Sequence, residues 1–420
     1  MQPRPALFLS KSAENSSFAW QSCCEVLTSL GKSPDALCPG AMEFILSSND
    51  AFNAPQGHGY FAAPVSAAPT DVSASSTGSS GYRGGRSASA TYAALDLGTN
   101  NCRLLIARPS REGLRIVDSF SRIVRLGEGL SARGRLSEQA IERTLAALSI
   151  CREKLDHKGV SRARLIATEA CRAADNGIEF IERVQKDVGL SLEIVDRETE
   201  AHLAAAGCAS LADPAADSVL LFDIGGGSSE IVWLDQQNPN GSGAERSMRD
   251  RVRHWTSLPL GVVSLAEKFG GRTVTAETFQ GMVALVDDKL KHFVDLVGQQ
   301  PRNRHFHLLG TSGTVTTLAG VHLGLMRYER RRVDGLWMSD HETVSATNRL
   351  RAMSYEQRAA NGCIGPERAD LVLAGCAILE SIRKAFPTQR IRIADRGLRE
   401  GILMQLMHAD GVWVDPAEHN

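Results

Sequence analysis

A chain of 420 residues has room for two or three domains. Its 43% hydrophobic and 23% charged content is that of a globular protein with a substantial core. A formal net charge of −1 excludes a global electrostatic case for nucleic acid or an anionic membrane, so attraction to an anionic ligand must be local. Nine cysteines, an odd number with no CxxC pair, argue against a disulfide framework or zinc site and for a reducing cytoplasm. No apolar run approaches the roughly 20 residues that span a bilayer.

Residues 1–46 are weakly patterned, and from about Ser47 to Ala90 Ala, Ser, Gly and Pro dominate without a sustained period. Such a segment buries too little apolar surface to offset its chain entropy, so residues 1–90 are expected to be a disordered or weakly ordered, dispensable extension.

Order begins at "YAALDLGTNNCRLLIARP". "GLRIVDSFSRIVRLG" reads as one or two further strands. "SEQAIERTLAALSICREKLDHKG" reads as a helix with Ser137 as N-cap and Gly159 past its end. "RARLIAT" is a short buried strand, "GIEFIERVQKDVG" an amphipathic helix and "LSLEIVD" another strand. Next comes "LLFDIGGGSSEIVWL", Leu220 to Leu234, which repeats the first hairpin position by position, Asp223 matching Asp96 at a separation of 127 residues. After Trp255 follow the helix "TAETFQGMVALVDDKLKHFVDLVG", the strand-turn-helix "HFHLLGTSGTVTTLAGVHLG", and helices either side of the strand "QRIRIADRG". Alternating strands and helices imply an α/β fold. Two copies of one hairpin, a domain apart, imply duplicated lobes around a cleft.

The turns of this repeat suit phosphate. Gly225, Gly226 and Gly227 let successive amides crowd toward one point, an anion-binding nest in which the space left by the missing side chains would seat a phosphate, and Ser228 adds a hydroxyl. Gly98, Thr99 and Asn100 offer the same chemistry after Asp96. Ser312, Gly313 and Thr314 open a helix whose N-terminus favours anions. Asp223 could hold a hydrated Mg²⁺ against phosphate oxygens. Asp96 is a second metal candidate or a cap for its own turn. Glu230 is a third, or a structural acid facing Arg103.

In this order, the Asp-x-Gly-Thr-Asn, Asp-Ile-Gly-Gly-Gly-Ser and Gly-Thr-Ser-Gly-Thr loops resemble the exopolyphosphatase and guanosine pentaphosphate phosphohydrolase (Ppx/GppA) family. "ATEACRAADNG", "RETEAHLAAAG", "RADLVLAGCAILE" and "ADRGLREGI" extend the likeness across roughly residues 92–408. The resemblance implies the duplicated, ribonuclease-H-like fold of the actin, Hsp70 and sugar-kinase superfamily. Its lobes would cover 91–212 and 213–394, and a C-terminal helix and tail, 395–420, would pack back on the first.

The resemblance further implies that Arg172 and Asn176 line the phosphate site and that Glu200 activates water. On composition alone Arg172 is a surface helix-start arginine and Glu200 a solvated helix glutamate. It implies a divalent cation, Mg²⁺ or another, on Asp223, Glu230 and Asp96. The reaction expected is hydrolysis of a terminal phosphoanhydride bond, with Arg172 on the equatorial oxygens and Asp223 beside the metal. Expected substrates are inorganic polyphosphate or guanosine pentaphosphate, with a catalytically weak nucleotide-binding regulator as the alternative. Neither nucleic acid nor membrane is expected as a partner, and relatives suggest a homodimer.

Two departures stand out. His202 occupies a position where the family often has Arg, which would weaken polyanion binding or make it pH-sensitive. The chain ends at Asn420, soon after the two-lobed core, so it reads as a short member with reduced processivity on long chains. The basic stretches Met248 to Trp255 and Arg327 to Gly335 read as a track for a phosphate polymer or as a solvated face.

Overall fold

The computed structural model describes residues 90–111, 113–236, 248–298 and 305–413. The disordered extension expected ahead of residue 91 lies outside the described residues, apart from Ala90 itself, as does the tail after residue 413.

The first sheet holds β1 (Tyr92–Leu97), β2 (Asn101–Ser110), β3 (Gly113–Ile123), β4 (Arg162–Ala167) and β5 (Glu193–Ile194), in the order β3-β2-β1-β4-β5. β1 pairs antiparallel with β2 and parallel with β4. Between them run α1 (Glu138–His157), α2 (Glu169–Ala173) and α3 (Gly177–Val188). Ser137 caps α1, its hydroxyl accepting from the Ala140 amide at 3.3 Å.

The second sheet contains β6 (Ser218–Ile224), β7 (Ser229–Asp235), β8 (Val252–Leu258), β9 (Phe306–Thr311), β10 (Trp337–Ser339) and β11 (Arg390–Ile393), in the order β10-β11-β9-β6-β7-β8. Again the Asp-bearing strand pairs antiparallel with its hairpin mate and parallel with the strand beyond, β9. The repeat extends to register. Asp96 stands opposite Arg103, and Asp223 stands opposite Glu230, so both members of each pair recur 127 residues on.

Helices supply each lobe's core. Along α6 (Ala276–Val297), after α5 (Val262–Phe269), Phe279, Met282, Val286, Leu290 and Phe293 recur at helical spacing and are buried. They pack with Ile378 and Ile382 of α10 (Val372–Ala385), which follows α7 (Ser312–His322), α8 (Asp340–Ala352) and α9 (Tyr355–Ala360).

Two helices join the lobes. α4 (Arg197–Cys208) places Leu203 against first-lobe residues and Cys208 among second-lobe strands. α11 (Leu398–Ala409) returns from the second lobe and buries Leu398, Ile402, Leu403 and Met407 against Tyr92, Ala94 and Leu105. These helices pass so closely that a Cβ on Gly401 would stand 2.0 Å from the Leu203 carbonyl oxygen.

Candidate active site

A cleft of about 640 Å³ lies between the lobes. Asp96 at the end of β1, Asp223 at the end of β6, Glu230 on β7 and Glu200 on α4 all line it. Burial raises the pKa of each. Asp223 moves up to about 6, against the pull of Arg103. Glu200 moves up to about 7, with Arg172 opposing and Asp96 and Asp223 adding to the rise. Burial also raises Asp96, and it lifts Glu230 well above the carboxylate range, with Glu200 and Asp223 reinforcing the effect.

The alternatives open for two of these acids narrow. The first turn is closed by the Gly98 amide donating to the Asn101 carbonyl at 2.9 Å, without the Asp96 side chain. Glu230 accepts from the Ser257 hydroxyl at 2.8 Å, and across the ladder it faces Asp223 rather than Arg103.

All three glycine-containing loops line the cleft: Gly98, Thr99 and Asn100; Gly225 to Ser228; and Ser312, Gly313 and Thr314. The space beside Gly226 and Gly227, however, is filled by the opposite lobe, while a Cβ on Gly225 would meet its own loop, 2.8 Å from the Ser228 carbonyl oxygen. A Cβ on Gly226 would lie 2.9 Å from Thr99 Cβ, and one on Gly227 would lie 2.6 Å from Thr99 Oγ1 and 3.0 Å from Glu169 Cγ. These glycines therefore permit close approach of two protein loops, which corrects the expectation of a phosphate seat in that space.

What remains for an anion is the backbone. Among the described residues the amides of Gly226, Gly227 and Ser228 have no hydrogen-bond acceptor, while the Gly225 and Gly226 carbonyls accept from Val262 and Val263 at 3.0 and 2.8 Å. Thr99 Oγ1 and Asn100 Oδ1 are buried without a partner, a cost that a bound ligand or water would relieve. In the third loop Ser312 adopts a left-handed φ of 82°, a strained conformation of the kind concentrated at functional sites. Its hydroxyl is committed to the Ile224 carbonyl at 2.6 Å.

Arg172 and Asn176, expected to line the phosphate site, do not line this cleft. The Arg172 guanidinium is occupied: it donates to Glu169 Oε2 at 3.1 and 2.7 Å, to Glu200 Oε2 at 2.9 Å and to the Val195 carbonyl at 2.5 Å. It braces Glu200 instead. Asn176 accepts from the Leu136 amide at 2.8 Å and donates to the Leu136 carbonyl at 3.1 Å, which satisfies both ends of its amide on a neighbouring loop. His202 bonds the Glu198 carbonyl at 2.8 Å through Nδ1 and stays outside the cleft, so it touches no ligand there. Among the described residues neither basic stretch lines the cleft, and Arg330 turns inward to Glu400 at 3.1 Å.

Three arginines, Arg103, Arg122 and Arg368, line the cleft with no role that the sequence alone assigned them. Arg103 occupies in the first lobe the register position that Glu230 occupies in the second, a sign reversal visible in the aligned repeat. Arg368, from the "RADLVLAG" segment, donates to the Ile364 and Cys363 carbonyls at 3.0 and 2.8 Å and to Thr317 Oγ1 at 3.3 Å, none of them acidic. Burial lowers the Arg368 pKa, and Arg103 across the cleft lowers it further. Two mutually repelling guanidiniums on opposite walls fit an anion between them.

The acids fit a hard cation. Four carboxylates line the cleft, Glu230 buried and Asp96, Glu200 and Asp223 half-buried, and they offer oxygen donors only. Among the described residues no three His, Cys, Asp or Glu side chains form a ready-made metal group. A cation here would complete its shell with water and ligand oxygens, as Mg²⁺ commonly does.

The Ppx/GppA phosphatase family matches residues 105–410. The guanosine-5'-triphosphate,3'-diphosphate pyrophosphatase of Photobacterium profundum is 29% identical over 322 residues, 75% of this chain and 59% of that protein. The chain thus spans less than two thirds of that relative's length. The crystal structure of the Aquifex aeolicus Ppx/GppA family member is 28% identical, with a TM-score of 0.61, covering 76% of this chain and 98% of that one. An exopolyphosphatase from Cytophaga hutchinsonii ATCC 33406 shares the fold, with a TM-score of 0.67 at 24% identity over 77% of this chain and all of that one. The fold, two lobes built on the same strand-hairpin-strand pattern, is a duplicated α/β fold shared with these structures. With its match running from β2 through α11 and taking in both lobes, this chain belongs to the Ppx/GppA phosphatase family.

Proposed function

We propose that the protein is an exopolyphosphatase that hydrolyses the terminal phosphoanhydride bond of inorganic polyphosphate and releases orthophosphate. One observation carries the reading: Glu200, raised by burial to about 7, lines a cleft whose walls also bear Arg103 and Arg368. Arg103 and Arg368 bind the oxygens of the terminal phosphoryl group. The free amides of Gly226, Gly227 and Ser228 hold it from the second lobe, and Thr99 and Asn100 hold it from the first.

Glu200 orients a water in line with the terminal bridging bond and takes its proton. The water oxygen bonds to phosphorus as the bridging P–O bond breaks, leaving orthophosphate and a chain one phosphate shorter. A divalent cation such as Mg²⁺, held by Asp223 with Glu230 and Asp96 nearby, would offset charge on the phosphate oxygens. Hydrolysis of guanosine pentaphosphate uses the same groups. The Photobacterium relative's name supports that second reading.

The six described cysteines are unbridged, which fits a reducing cytoplasm, where we place the protein. None of the described helices is long and apolar enough to cross a membrane.

The test is phosphate release from long polyphosphate, tripolyphosphate, guanosine pentaphosphate and ATP, with Mg²⁺ or with chelator, by wild type and Glu200→Gln. Expected are Mg²⁺-dependent release, fastest from polyphosphate, and a loss of at least ~10²-fold in Glu200→Gln. Faster release from guanosine pentaphosphate would select the second reading. No release from any of the four would overturn both.

A further inference from the structure

Glu169 opens α2 and lines the cleft, yet its side chain is only 9% exposed. Two guanidiniums hold it. Arg172 donates to Oε2 through Nε and Nη2 at 3.1 and 2.7 Å. Arg197 donates to Oε2 and Oε1 at 3.2 and 2.8 Å. Arg172 then reaches Glu200 Oε2 at 2.9 Å. Arg197, Glu169, Arg172 and Glu200 thus alternate in charge along one connected chain. It begins at Arg197, 42% exposed, and ends in the cleft at Glu200, 13% exposed. Both ends sit on α4, three residues apart, so the chain leaves that helix, passes through α2 and returns to it.

The geometry has a consequence for Glu200. An arginine facing one carboxylate tends to close on both of its oxygens in a two-pronged pair. Here Glu169 takes the Nε–Nη2 edge of Arg172, and the Val195 carbonyl takes Nη1 at 2.5 Å. Glu200 consequently receives a single bond, at Oε2, and its Oε1 has no protein donor among the described residues. That oxygen is the one left to accept from water. The second lobe covers the arrangement, since a Cβ on Gly227 would lie only 3.0 Å from Glu169 Cγ.

We propose that Glu169 and Arg197 are positioning residues: they hold the Arg172 guanidinium off one oxygen of Glu200, so that this carboxylate keeps a free acceptor aimed at the attacking water. The inference rests on Glu200 acting as the base.

A double-mutant cycle tests it on the full chain with tripolyphosphate as substrate. Glu169→Gln keeps the shape of the side chain, and Arg197→Ala alters a residue at the protein surface, so the two variants carry different folding risks. Each is expected to lower kcat at least about tenfold while leaving KM within about threefold. In a Glu200→Gln background the same changes are expected to cost less than about twofold, because the carboxylate they position is gone. Equal losses in both backgrounds, a loss carried by KM, or wild-type kcat in both single variants would overturn the proposal. A wild-type rate in Glu200→Gln alone would overturn the base assignment, and this inference with it. A slow Glu200→Gln combined with background-independent losses would overturn this inference only.

Discussion

Gly207 of α4 and Gly397, just ahead of α11, meet at the junction of the lobes: a Cβ built on Gly207 would lie 1.9 Å from the Gly397 carbonyl oxygen. Backbone cannot yield there as the tip of a side chain could. Gly207→Ala gains about 1 kcal/mol of helix propensity but forces the two connecting helices apart, at a cost of about 1–3 kcal/mol or more. The expected net result is a lower denaturant midpoint together with reduced phosphate release. A variant as stable and active as wild type would show that the crossing tolerates displacement.

On the proposed mechanism, the state of Glu200 sets the acid limb of activity. With its pKa raised from the ordinary 4.5 to about 7, chiefly by burial, the free enzyme must shed that proton before Glu200 can accept one from water. We expect kcat/KM to climb as pH passes about 7 and to level above it. A profile flat from about pH 5 upward would contradict the assignment.

Stability should run the opposite way. Asp223 holds its proton up to about 6 and Glu200 up to about 7 in the folded protein, whereas the unfolded chain releases them near 3.8 and 4.5. Below those ordinary values both states are protonated, and the stabilising contribution is fully present. As pH rises through the window the unfolded chain binds fewer protons than the folded one, so the unfolding free energy falls, and it levels above about 7. The metal-free protein should therefore lose stability between about pH 4 and 7 in urea titrations, following that window. Asp223→Asn should flatten the decline, and Mg²⁺ should raise the midpoint more at the alkaline end of that range than at the acid end. An identical slope in Asp223→Asn would count against the burial of that carboxyl.

On the proposed mechanism, Arg103→Ala or Arg368→Ala removes a charged partner of the phosphoryl oxygens, and kcat/KM for tripolyphosphate should fall about 10- to 100-fold. Asn176→Ala should behave differently. It breaks two hydrogen bonds to Leu136, so it should lower stability by about 1–3 kcal/mol and leave KM unchanged. A raised KM with unchanged stability would return Asn176 to the binding site.

The architecture was legible because its signals are local. Strand pairing has a period of two, and a hairpin's register follows from its own turn. The alignment of Asp96 with Asp223 in sequence therefore carried through to matched ladders, with Arg103 and Glu230 at equivalent places. The same logic brought Asp96, Asp223 and Glu230 to one cleft, since strand ends and hairpin turns of both copies meet at the lobe junction, whereas Glu200, on α4, was expected there only from the family resemblance.

Side-chain direction was not legible in this way. Arg172 and Asn176 belong to a segment with the right residue types, but a five-residue helix and the cap of the next say nothing about which neighbours their side chains meet. Glu169, Glu200 and Leu136 claimed them. Arg103 and Arg368 looked unrelated because they come from different lobes and share a cleft only once the lobes are docked. By itself the sequence determined the duplicated hairpins, their acidic strand ends and the α/β fold that carries them, all set by periodicity and turn chemistry within short stretches. Only the tertiary structure decided what occupies the space beside Gly226 and Gly227, because their contacts with Thr99 and Glu169 form when two distant parts of the chain close on each other.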